Sequence, residues 1–518
     1  MPNAPIVAVP AIDPNDPRRL VCGGEQLFLA GYYPGLQPLI SGPSAFDGFY
    51  RRWFDLMAQN GVNLIRHCLT FGMTLDNAPW RHPYNRPGPG TICTPQNAAG
   101  WHSGPKVDLD SFDESFFAYW DEVLEYAAER GIVVIATVFD SVHTHAFCTV
   151  NCQPQAVGSC GACNAAGEAR VWQPFQLMGL YYDYYYGETN INGVSFGQPC
   201  EWYSSPAVRT RQKAYAAYAA SRLGRHPNLI WEVTNELNTS CAAAAEWQDD
   251  LGRTIRAADP LGHLLMPFDL PGHQQVPGQM LPSGSVAGSG AATVCQTYPP
   301  PYEHLEATTV GGEVSDYVSF RADLGEAFAA QAKNGKPRPL LSDNDFSPCP
   351  GDPNCTALYQ RRKAWTAFSA GAYVNIFLFD VVNGEKTGID RTVNSGIAFV
   401  GLLRALIAEY RLELSSSRAF PASLGASAQQ PVWALGCRRQ GGSPAVVVYF
   451  LQGGGADLGP LGLPDVAIGF WWNPQTGQLY GQATFTSGQV EAPPERGVGN
   501  KSASDPCAEN DWLLVLTP

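Results

Sequence analysis

Two hydropathy patterns divide the chain. Over roughly residues 20–410, short apolar runs rich in β-branched residues alternate with longer stretches whose apolar positions recur at helical spacing. Alternation of this kind predicts βα units around a parallel sheet. The predicted strands are Leu27–Tyr32, Asn63–Cys68, Val133–Phe139, Leu229–Thr234, His263–Pro267, Asp316–Phe320, Arg338–Ser342 and Tyr373–Phe379. Eight such runs suggest a closed (β/α)8 TIM barrel. The connecting helices are legible at Phe46–Asn60, Asp113–Arg130, Ala207–Leu223 and Ala242–Ala258. Phe116, Trp120, Val123, Leu124 and Ala127 make one stripe of the second, and Gly131 supplies its stop.

Beyond about residue 415 the period drops to two. Pro431–Gly436, Ala445–Leu451, Val466–Trp472, Gln482–Thr486 and Trp512–Leu516 read as short strands with turns between them. That pattern predicts a small antiparallel β-sandwich. The expected division is a short N-terminal extension over 1–20, an α/β barrel over 21–412, and the sandwich over 413–518. Three long inserts, Phe71–Val107, Ser141–Ser205 and Leu270–Glu313, follow predicted strand ends. In a barrel that is the face on which active sites are built. Their aromatic residues, Trp80, Trp101, Trp172, Trp202 and the Tyr181–Tyr186 run, could stack on sugar faces or simply pack the loops down.

Composition narrows the function classes. Apolar residues make up 45% of the 518 positions, enough for a full core, and charged residues only 15%. With 33 basic against 47 acidic side chains the formal charge is −14. No Lys/Arg run offers a footprint for nucleic acid. No apolar stretch reaches the roughly 20 residues of a membrane span. Fourteen cysteines, clustered at Cys148, Cys152, Cys160 and Cys163 and again at Cys349 and Cys355, suit disulfides in a secreted protein. The rival is a zinc site built on the first cluster. The opening residues show no basic start and no apolar core of an export signal, so export requires one already removed.

The sharpest chemical motif is Asn228–Glu236, a strand of alternating side chains ending in adjacent Asn235 and Glu236. A carboxyl group screened at a barrel mouth can be held protonated and donate its proton, and a neighbouring amide can hold a substrate hydroxyl. A helix cap at Asn235 is the plain alternative. With His226 and Pro227 before it, this run resembles the fourth-strand signature of the cellulase-like clan of retaining glycoside hydrolases. Gly61–Arg66 is similar to that clan's second strand, and Gly131–Ile135 leads to Asp140 and His143 as its third does. The resemblance spans roughly residues 20–410. It implies Glu236 as acid/base, Arg66 as support for a nucleophile, and His143 on the substrate side. Trp471–Gly477 with Asp511–Leu516 resembles a small β-sandwich module that comes after barrels of the apiosidase-like kind.

The seventh strand departs from the clan. Its end reads Pro339–Phe346 and holds no Glu; Asp343 and Asp345 are the carboxylates available as nucleophile. Aspartate is one methylene shorter, and carboxyl separation decides between retention and inversion. Asp140, Arg321 and Asp380 are further candidates for binding sugar hydroxyls. The expectation is a secreted glycosidase with a carbohydrate substrate, using no cofactor and no metal. Two alternatives stay open: a non-catalytic carbohydrate-binding or extracellular structural protein, and a metal-dependent hydrolase using His143 and His145, with His304 and Asp380 as its only further ligands.

Overall fold

The computed structural model describes residues 3–517, apart from 34–48, 70–72, 75–80, 89–90, 97–99, 142–147, 152–167, 172–180, 183, 186–188, 199, 236, 239–240, 267, 270–294, 298–313, 334–336, 345–352, 378–395, 421, 426, 429, 464–465, 487 and 494–509. The parallel strands are β1 (Ala30–Tyr33), β2 (Leu64–Cys68), β3 (Val133–Asp140) and β4 (Leu229–Asn235). Then come β5, split into Leu265–Met266 and Phe268–Asp269, β6 (Cys295–Thr297), β7 (Leu340–Asn344) and β8 (Tyr373–Phe377). One end of the sheet is the first piece of β5, pairing with β4; the other end is the second piece, pairing with β6. Only Pro267 separates the two pieces, so the sheet closes on itself through one strand. The result is the expected barrel.

Helices α1 (Phe49–Gln59), α2 (Glu114–Glu129), α3 (Glu201–Ser204), α4 (Pro206–Leu223) and α5 (Ala244–Ala258) serve the first half of the barrel. Helices α6 (Val314–Lys333), α7 (Pro353–Ala370) and α8 (Ile397–Glu409) serve the second. Every residue of β2 and β4 is buried, as strands covered on both faces require. Helix α2 starts at Asp113, whose side chain accepts from the Ser115 amide at 2.9 Å. It stops at Gly131, with φ +66°, where an added Cβ would sit 2.2 Å from the Ala4 carbonyl oxygen. The N-terminal residues run close beneath the strand starts. The Asn3 amide donates to the Val62 carbonyl at 2.8 Å, and the Ile6 amide to Ala128 at 2.9 Å.

The sixth strand corrects the sequence reading. Asp316–Phe320 belongs to α6, and Cys295–Thr297 takes the place between β5 and β7. Arg321 moves with it, from an expected strand end to a helix. Its buried guanidinium donates to Ser369 Oγ at 3.2 Å and to the Phe420 carbonyl at 2.7 Å, and lies over the Trp433 ring. Those contacts join the barrel to the C-terminal region, and burial lowers the pKa of Arg321 to about 10.

The C-terminal strands are β9 (Leu412–Ala419), β10 (Val432–Arg439), β11 (Pro444–Phe450), β12 (Val466–Trp472), β13 (Leu479–Thr486) and β14 (Trp512–Thr517). They form one antiparallel sheet in the order β9-β10-β11-β14-β12-β13. Period two sorts its side chains. Trp433, Leu435, Val447, Tyr449, Leu513 and Val515 join the barrel core. Their neighbours Val432, Ala434, Val448, Phe450, Trp512 and Leu514 form a second core under the ribbon Gly455–Asp457 with Gln489–Glu491. Arg361 on α7 donates from Nε to Asp511 Oδ2 at 3.0 Å and from Nη2 to Oδ1, with neither side chain exposed. Arg362 donates to Asn510 Oδ1 at 2.8 Å.

Candidate active site

A hydrogen-bonded group of polar side chains joins β2, β3 and β4 inside the barrel and reaches the ends of β3 and β4 at Asp140 and Asn235. Register alone brings them together: Glu232 lies beside Thr137, Asn235 beside Asp140, and Cys68 beside Thr137. The Arg66 guanidinium donates from Nε to Glu232 Oε2 at 2.8 Å and from Nη2 to Glu232 Oε1 at 3.2 Å. Nη2 also donates to Asn235 Oδ1 at 2.8 Å. Thr137 Oγ1 donates to Glu232 Oε2. Asn235 Nδ2 donates to Asp140 Oδ1 at 3.1 Å. Glu232 is 0% and Arg66 1% exposed, while Asp140 is half-buried at the mouth.

A charge pair this deep persists only if its hydrogen-bonding capacity is used. Here three donated bonds meet the Glu232 carboxylate, and both Nη2 protons of Arg66 are spoken for. Cys68 shares this environment. Burial pushes its thiol well up, the charges of Asp140 and Glu232 add to that, and Arg66 opposes it. A thiol held protonated in this way is a poor nucleophile.

Of the sequence candidates, Arg66, Asp140 and Asn235 come together. Sequence reading set Arg66 against a carboxylate of strand seven, whereas its described contacts go to strand four. Asp343 lies on β7 in register with Asn375 of β8, and Ser342 before it is buried. Asn375 fills the barrel interior over β1, since a Cβ on Gly31 would sit 2.3 Å from its Oδ1. Glu236, Asp345, Asp380, His143, His145 and His304 lie outside the described residues. So do Cys152, Cys160 and Cys163. Among the described residues no group of three or more His, Cys, Asp or Glu could hold a metal ion, and no helix is long and apolar enough to cross a membrane.

Sequence reasoning missed Glu232, Thr137 and Asn375. A signal for the first was present: Glu232 is an acid inside the apolar run Leu229–Val233, and Arg66 a base two strands away. The insert aromatics that are described pack loops down. Trp202 is 1% exposed and sits against Phe139, Tyr203 and Trp247. Tyr184 bonds His82 at 3.0 Å, and Tyr185 bonds Tyr84 at 2.9 Å.

The chain just past β4 is anchored from outside the barrel. Cys241 is bridged to Cys200, with their Cα atoms 5.2 Å apart. The Asn238 amide donates to the Tyr203 hydroxyl at 3.0 Å. Leu237 and Asn238 are buried.

No protein-family profile and no curated protein matches the chain. Solved structures do. One described as a glycoside hydrolase is similar over 100% of this chain and 98% of its own, at 13% identity with a TM-score of 0.62. A candidate glycoside hydrolase from Bacteroides vulgatus is similar over 99% of this chain and 82% of its own, at 13% identity with a TM-score of 0.52. A glycoside hydrolase family 5 mannosidase from Rhizomucor miehei aligns with 76% of this chain and 99% of its own, at 11% identity with a TM-score of 0.45. At these identities the likeness is one of fold.

Proposed function

We propose that the chain is a secreted glycoside hydrolase that cleaves a poly- or oligosaccharide with two carboxylates. Glu236, the residue immediately after β4, protonates the leaving glycosidic oxygen. Asp343 or Asp345, from the end of β7, attacks the anomeric carbon and forms a glycosyl–enzyme ester. Glu236 then takes a proton from water, which displaces the sugar with net retention. Asn235 and Asp140 bind sugar hydroxyls beside the reacting bond. His143 and Asp380 complete the substrate side. The reaction belongs to the barrel over 21–412, with the sandwich over 413–518 as its buttress.

One observation carries this reading. The Glu232–Arg66–Asn235–Asp140 chain of hydrogen bonds reaches the last residues of β3 and β4, Asp140 and Asn235, and Glu236 is the next residue in sequence. Strand-end polar groups on rigid β elements are what a positioned acid requires. The fold shared with solved glycoside hydrolases supports it. The disulfide Cys200–Cys241 supports export.

A panel of glycosides and polysaccharides, read by released reducing sugar, tests the activity. On the substrate that is cleaved, Glu236→Gln loses roughly 100- to 10,000-fold in kcat while folding is kept. Of Asp343→Asn and Asp345→Asn, only the true nucleophile's variant loses activity to that extent. Proton NMR of the first-formed anomer reads the stereochemistry. Binding without any product across the panel would favour the carbohydrate-binding alternative, which the strand-seven sequence without Glu motivates.

A further inference from the structure

We infer that Glu232, which takes no part in bond breaking, is a positioning residue that sets which way the Asn235 amide faces and balances the Arg66 charge inside the barrel. The inference rests on the reading of Glu236 and a strand-seven aspartate as the reacting pair.

Hydrogen-bond chemistry assigns the amide. A guanidinium only donates, so the atom 2.8 Å from Arg66 Nη2 must be the Asn235 oxygen. An ionised carboxylate only accepts, so the group 3.1 Å from Asp140 Oδ1 must be the amide nitrogen. With that orientation the second Asn235 N–H is left to donate to a substrate hydroxyl oxygen at the barrel mouth. That orientation depends on where Arg66 points. Arg66 in turn is held by both oxygens of Glu232, one of which also accepts from Thr137 Oγ1. Without Glu232 the Arg66 guanidinium would keep its charge with this carboxylate partner removed, and its pull would fall on the carboxylates proposed to react. A neighbouring positive charge lowers the pKa of each.

The test uses Glu232→Gln and Glu232→Asp in the full chain, assayed on a glycan that the panel identifies. Glu232→Gln is isosteric but uncharged. It should lose tenfold or more in kcat, with KM within about twofold, and move both limbs of the pH–rate profile to lower pH. Glu232→Asp keeps the charge but withdraws it by one methylene, so kcat falls while both limbs stay in place. A crystal structure of Glu232→Gln should show the Asn235 amide turned or detached from Arg66. Unmoved limbs in Glu232→Gln, wild-type kcat in Glu232→Asp, or an undisturbed Asn235 in that crystal would each overturn the inference. If Glu232→Gln does not fold, Glu232→Asp alone decides through kcat. Failure of the underlying reading looks different, because Glu236→Gln would then turn over normally.

Discussion

His67 shows how much a single outward-facing side chain on a barrel strand can control. It packs against Trp120 of α2, with ring centroids 5.8 Å apart, and its Nδ1 bonds the Cys68 carbonyl at 2.7 Å. Burial lowers its pKa from 6.5 to about 4, and that of His82 to about 3. The neutral rings are the folded forms. Above about pH 6.5 neither folded nor unfolded chain binds a proton at these sites, and the shifts cost nothing. As pH falls from there to about 4, the unfolded chain takes up protons that the folded one refuses. His67 alone then removes roughly 3 kcal/mol of stability across that window. The expected result is a urea midpoint that drops between about pH 7 and about pH 4, and drops less in His67→Leu. In the sequence Asn235 and Asp140 were legible as polar groups at the ends of apolar strands, and Arg66 through the resemblance that Gly61–Arg66 carries. Nothing in the sequence singled out His67, and the acid Glu232, though it stands in an apolar strand, takes its role from Arg66 two strands away.

At the scale of elements, most strands were legible because buried parallel strands read as continuous apolar runs. Seven of the predicted runs overlap observed strands, with ends shifted by a few residues. The sixth failed for a physical reason. Cys295–Thr297 is three residues long and comes after a Gly/Pro-rich insert, so it carries almost no pattern of its own. Asp316–Phe320 gathers the β-formers Tyr317, Val318 and Phe320 in five residues, which imitates a short strand within a helix. The staple between α3 and the chain after β4 was legible only as an excess of cysteine. Its half-cystines lie 41 residues apart, a loop whose closure is worth about 4 kcal/mol in chain entropy. Cys200 is exposed and Cys241 buried, so a dithiol reductant has access from one side. The Cys200→Ser/Cys241→Ser variant should unfold at lower denaturant. Its amides at Leu237 and Asn238 should exchange faster, while those of β4 stay protected. Equal exchange at all of these sites would argue against an anchoring role.

On the scale of the whole molecule, the C-terminal sheet is a second wall of the barrel core as much as a unit with its own. Trp365 of α7 meets Trp472 at 5.7 Å and Tyr449 at 6.4 Å. Tyr449 in turn bonds Asp511 at 3.4 Å. A chain ending at residue 412 would lay this apolar surface open, and it should be recovered as aggregate. Asp511→Ala should cost roughly 3–5 kcal/mol, because it leaves a buried guanidinium without its partner. Unfolding followed by fluorescence and by far-UV circular dichroism should then give one coincident transition at lower denaturant, since the loss falls on the shared core.

Arg361 and Asp511 stand 150 positions apart in the chain yet act as a single locking piece. A C-terminal segment transplanted from a distant relative would have to arrive with an acid at that spot, or be matched by a simultaneous change in α7. Recombination between such proteins is thereby confined to exchanges that carry both halves of the lock.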